Sequence, residues 1–106
     1  MHKYIVVTDS MMPLIQAGAE LFIEKIEDAQ KLKKFDIILF SVNGKLTCHY
    51  FWHKNSHYDE GLIITRNLKN GSYDDSFGFD KIIGQVTNYK ISFILKLKIF
   101  LRDKIV

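Results

Sequence analysis

The pair Asn43-Gly44 stands between two β-prone runs, Ile37-Ile38-Leu39-Phe40-Ser41-Val42 before it and Lys45-Leu46-Thr47-Cys48-His49-Tyr50-Phe51-Trp52 after it. Asn and Gly both accept positive φ, which a two-residue turn between twisted strands needs at its central positions, so the two runs are expected to fold back as a tight antiparallel hairpin. That hairpin commits the middle of the chain to sheet. In its second strand, alternation puts Thr47, His49 and Phe51 on one face and Cys48, Tyr50 and Trp52 on the other.

Shorter runs of the same kind occur at Tyr4 to Thr8, Leu62 to Arg66 and Ile82 to Tyr89, each read as a strand. Pro13 marks the exit from the first. His53 to Glu60 is polar and reads as a loop. Asn67 to Asp80 contains two Gly, two Asn, three Asp and two Ser, a long loop of the kind that often carries function. Two segments are ambiguous. Ala17 to Lys34 has helix-favouring Ala, Glu, Leu and Lys, yet Glu20-Leu21-Phe22-Ile23-Glu24 also suits a buried strand. In the C-terminal segment Ile91, Phe93, Leu95, Leu97, Ile99 and Leu101 repeat at period two, while Leu and Lys favour helix.

With 106 residues, one domain is the expectation. The fold class expected is mainly β, a single compact core of antiparallel strands and hairpins over residues 1–89, with room for a short helix near 27–34. Residues 90–106 form a basic amphipathic segment, strand or helix, within the same domain or attached to its surface. Hydrophobic residues at 47% and charged residues at 25% exclude a disordered composition. The net charge of +3 is mild and mostly interspersed, which disfavours a nucleic-acid partner. A single cysteine, Cys48, provides neither an intrachain disulfide nor a cysteine zinc cluster. No apolar run is long enough for a signal-peptide core or a membrane span, so a cytoplasmic or peripherally membrane-associated protein is expected.

Three features suggest chemistry. Ser10 ends the first β-run where the chain must turn before Pro13, a placement that leaves its hydroxyl and backbone N–H available for attack and for oxyanion binding. A serine there is more often simply a turn or helix-cap residue. His49 supplies an imidazole, the usual base for a serine hydroxyl, although a strand histidine more often serves packing. Asp74-Asp75 in the long loop would hold such an imidazole in the correct tautomer; the commoner role of such a pair is a solvated turn.

Taken in order, these residues resemble the signal peptidase superfamily of serine endopeptidases. Ser10-Met11-Met12-Pro13 is similar to its S-M-x-P motif after a strand, and Leu14 to Ile23 resembles the continuation containing Gly-Asp, here Gly18-Ala19. Phe35-Asp36-Ile37-Ile38-Leu39-Phe40 resembles the G-D-I-V-x-F strand, and Lys45 to Tyr50 the strand that carries the catalytic histidine. Thr65 to Asp75 matches the position of the T-K-G-D-N-N-x-x-D-D block, with Leu68 where its first Asp would stand. Ile82-Ile83-Gly84-Gln85-Val86 matches the closing block. Five blocks in order, over roughly residues 4 to 88, are more specific than any one of them.

The resemblance implies a strand around Glu20 to Lys25. It also implies a small serine endopeptidase that cleaves leader or signal peptides, nearest the Ser-His type of archaea and the endoplasmic reticulum. Ser10 would be the nucleophile, His49 the base, and Asp74 or Asp75 the acid, with the Ser10 N–H and the Thr8 hydroxyl binding the oxyanion. Relatives that use Ser-Lys make Lys45 the alternative base, but a lysine base must be desolvated and Lys45 adjoins an exposed turn. The substrate would be an extended peptide, with no metal or organic cofactor. The alternative is a catalytically degenerate peptide-binding module on the same fold, consistent with the altered Gly-Asp pairs. From Lys90 onward, Lys90, Lys96, Lys98, Arg102 and Lys104 face one acid, Asp103, so this segment either rests on an anionic membrane surface or completes the core.

Overall fold

A computed structural model describes residues 2–55 and 62–104. The described residues form a seven-stranded antiparallel sheet, β1 (His2–Ile5), β2 (Glu20–Glu24), β3 (Ile37–Val42), β4 (Lys45–Asn55), β5 (Leu62–Arg66), β6 (Phe77–Gly78) and β7 (Ile82–Val86), followed by one helix, α1 (Phe93–Lys104). Neighbour order across the sheet is β1-β2-β7-β3-β4-β5-β6, which brings the closing strand β7 between β2 and the hairpin.

The hairpin forms as its sequence requires. Asn43 and Gly44 both have positive φ, 53° and 76°, and β3 pairs with β4 from Val42 opposite Lys45 to Ile37 opposite Tyr50. Strand β3 explains its own unbroken apolar run, because it is buried on both faces. Ile37 and Leu39 join one core cluster with Tyr50, Met11, Ile15 and Ile99, while Ile38 and Phe40 join another with Phe51, Ile63 and Phe77. A strand covered on both sides needs hydrophobic residues at every position rather than at alternate ones. The expected division of β4 also holds, with Tyr50 in the first cluster and Phe51 in the second.

Several boundaries differ from those read in the sequence. The first strand is His2–Ile5, not Tyr4 to Thr8, because its partner β2 turns away at Gly18, where φ is +93°. Val6 still exchanges hydrogen bonds with Ala19 and Gly18, after which Val7 and Thr8 leave the sheet. Strand β7 stops at Val86; beyond it the Asn88 side-chain amide takes over the ladder, accepting from the Phe22 N–H and donating to the Glu20 carbonyl. Glu20–Glu24, by contrast, is the strand that the resemblance implies, against its helix propensity, since Leu21 and Ile23 are buried between β1 and β7. Near 27–34 the chain makes a single 3-10 turn, Ala29–Lys31, capped by Asp28. The stretch read as a loop from His53 continues as strand to Asn55, and its remainder lies outside the described residues.

The C-terminal segment is a helix. Ser92 caps it, its hydroxyl accepting from the Leu95 N–H, and Ile91 and Ile99 enter the first core cluster. Its apolar residues therefore divide by helical angle, not by alternation. No described helix is long and apolar enough to cross a membrane.

Candidate active site

Ser10 is held where it is by its neighbours. Met11 and Ile15, one on each side of Pro13, are buried in the core, and the Ile15 N–H closes a turn on the Met11 carbonyl. The Ser10 carbonyl accepts from the backbone N–H groups of both Leu68 and Lys69, at 2.9 and 3.0 Å. Lys69 also pairs with Asp9. With its backbone fixed from behind, Ser10 presents its side chain to a cleft of about 430 Å³, while its own N–H donates to no backbone carbonyl among the described residues.

Across from Ser10 the cleft is lined by the β4 face carrying Lys45, Thr47 and His49, by Asp74 and Asp75 from the loop after β5, and by Phe77 of β6. The fold thus gathers Thr8, Ser10, Lys45, His49, Asp74 and Asp75 around one cavity, although the sequence separates them widely. His49 is 7% exposed, its ring edge-on to Phe40 with centroids 6.1 Å apart. Its Nδ1–H donates to Asp74 Oδ2 at 2.5 Å, and the Thr65 hydroxyl donates to the same oxygen at 2.6 Å. Asp75 lines the cleft but makes neither contact.

Burial by itself pushes the Asp74 carboxyl up, but the hydrogen bonds from His49 and Thr65, and the nearby Lys45 ammonium, outweigh it and hold the group below the usual aspartate range. Asp74 is thus an anion wherever the imidazole would need one. Because Nδ1 is committed to Asp74, the remaining nitrogen, Nε2, is the one available to accept a proton. The Ser10 hydroxyl lies 3.2 Å from Thr8 Oγ1, and among the described residues no hydrogen bond joins it to the imidazole. Lys45 is exposed at the mouth, beside the hairpin turn.

Two contributors carried no role in the sequence reading. Thr65 is fully buried, and besides its hydroxyl contact its carbonyl accepts from the Asp74 N–H, so it fixes the acid by two bonds. Arg66 is 2% exposed, its guanidinium carbon 4.4 Å from the Trp52 ring centroid and 4.6 Å from that of Tyr73, and it grips both carboxylate oxygens of Asp103 on α1 while its Nε–H donates to the Gly71 carbonyl. Arg102 adds a bond to the Leu68 carbonyl. The loop of residues 67–71 therefore links the Ser10 turn to α1. The position of Thr65 two residues from Ile63 on β5 was a usable signal for its inward orientation; the partner of Arg66, on a helix 37 residues later, had none.

Comparison with protein-family models, curated proteins and solved structures finds no match for this chain.

Proposed function

We propose that the chain is a small serine endopeptidase of the signal-peptidase type, acting on leader or signal peptides. The observation that carries this reading is the His49–Asp74 pair opening on the same cleft as Ser10. Ser10 Oγ attacks the scissile carbonyl as His49 Nε2 takes the hydroxyl proton; His49 then returns that proton to the leaving amine, and water releases the acyl group. Asp74 holds the tautomer and stabilises the imidazolium. The Ser10 N–H and the Thr8 hydroxyl, already 3.2 Å from Ser10 Oγ, receive the oxyanion.

Phe40, Val42, Leu46 and Phe77 give the cleft an apolar wall suited to a small apolar side chain of an extended peptide. The backbone also supports the family resemblance. Its two Gly-Asp positions fall on Gly18 and Phe35, and both have positive φ, 93° and 78°, although the second is not glycine.

A second reading, an inert peptide-binding module on the same fold, is favoured by the Ser10 hydroxyl turning to Thr8 instead of the imidazole. Serine hydroxyls rotate readily, and catalytic bonds often tighten only with substrate. The deciding experiment incubates native protein, Ser10→Ala and His49→Ala with a leader-peptide library and an activated serine probe. Cleavage and labelling by the native protein alone support the peptidase; peptide binding by all three without cleavage supports the module.

A further inference from the structure

Helix α1 turns two unlike faces to its surroundings. Ile99 and the half-buried Leu95 face the core, and Arg102 and Asp103 tie the helix to the loop behind Ser10. On the opposite side Phe93, Ile94, Leu97, Phe100 and Leu101 are between 46% and 78% exposed. Their spacing, i, i+1, i+4, i+7 and i+8, puts all five on one outward stripe. A contiguous apolar stripe on the solvent side of a helix is a docking surface rather than scattered surface hydrophobicity.

The charges beside the stripe indicate what covers it. At 100° per residue, Lys96 and Lys98 fall on its two flanks, Lys104 lies at its C-terminal end, and Lys90 precedes the helix. None of these four lysines has an acidic partner among the described residues, whereas the one acid of the segment, Asp103, is taken by Arg66. A second copy of the chain docked through the same face would set unpaired lysines against lysines. We propose that this face of α1 binds an anionic lipid surface, lying in its plane with the aromatic and aliphatic side chains in the acyl boundary and the lysines reaching the headgroups. At 12 residues the helix is about 18 Å long, which suits lying on a bilayer and not crossing it. The inference is independent of the peptidase reading, since it uses none of the cleft residues.

The test is co-sedimentation of the full chain with phosphatidylcholine vesicles, with and without phosphatidylserine, at low and high salt. The native protein should bind the phosphatidylserine vesicles at least about tenfold more tightly than the neutral ones, and high salt should weaken that binding. Leu97→Glu and the double variant Lys96→Gln/Lys98→Gln should each lose about tenfold or more, with unchanged thermal unfolding by circular dichroism because all three side chains are exposed. Equal affinity for both vesicle types, or no binding to either, overturns the proposal. So does concentration-dependent self-association that Leu97→Glu abolishes, which would mean that a second copy covers the face.

Discussion

His49 Nδ1 and Asp74 Oδ2 are 2.5 Å apart, and the neighbouring carboxylate, Asp75, makes no such contact. The pair spans two structural units: His49 is fixed by the β3–β4 ladder, where it stands opposite Ile38, and Asp74 by its N–H bond to the carbonyl of Thr65 at the end of β5. On the proposed mechanism the two acids therefore separate cleanly. Asp74→Asn should lower leader-peptide cleavage by about 10⁴-fold, because the amide no longer enforces the tautomer that leaves Nε2 free. Asp75→Asn should cleave nearly as the native protein does, and equal losses in the two variants would remove Asp74 from its role.

Thr8 offers a milder lesion. On the same proposed mechanism Thr8→Val removes one oxyanion donor, and with it the 3.2 Å contact to Ser10 Oγ, while leaving the His49–Asp74 pair in place, and such a loss typically costs on the order of a hundredfold in kcat. Steady-state kinetics should show the loss in kcat with KM little changed.

Thr65→Val keeps the side-chain volume but deletes a hydroxyl bonded to a carboxylate, and urea unfolding at pH 7 should show a destabilisation of about 2 kcal/mol. The deficit should depend on pH with a definite sign. Asp74 has a folded pKa below the ordinary value of 3.8, so the stability it contributes is present above that value and is lost as pH falls through the depressed one. The gap between native protein and Thr65→Val should accordingly shrink in acid. A gap that widens below pH 4 would contradict the assignment.

Gly71 and Gly44 separate two kinds of glycine requirement. Both have positive φ, but a Cβ at Gly44 would meet nothing within 4 Å, whereas one at Gly71 would lie 2.6 Å from Arg102 Nη2 and 2.8 Å from Arg66 Nη2. Gly44→Ala should cost only backbone strain, about 1 kcal/mol. Gly71→Ala should cost more, about 2 to 3 kcal/mol, because the guanidinium groups that tie α1 to the loop must also move. Denaturation midpoints of the two variants, compared side by side, measure the difference.

Burial pushes the Cys48 thiol up to about 12. Since the thiolate is the reacting species, alkylation by iodoacetamide at pH 8 should be on the order of a thousandfold slower in the folded protein than in urea. Rapid labelling under native conditions would show that the face of β4 opposite His49 opens readily.

Local chemistry in the sequence determined a good deal of this molecule. Asn43-Gly44 dictated the hairpin and its register, because only residues at ease with positive φ make that turn, and the register placed His49 on a known face of β4. Pro13 marked where the chain after Ser10 had to leave the first strand. Tertiary structure alone decided which acid meets the imidazole, since Asp74 and Asp75 are chemically alike and only the bond from Asp74 to Thr65 fixes one of them inside hydrogen-bond reach. It also chose helix for Phe93–Lys104, where propensity and periodicity disagreed, and made Glu20–Glu24 the strand that the family resemblance implied and propensity opposed. In each the choice rests on partners far away in sequence: Val86 beside Ile23, and Arg66 holding Asp103. Such contacts are settled by the packing of the whole chain, and no short window of residues contains them.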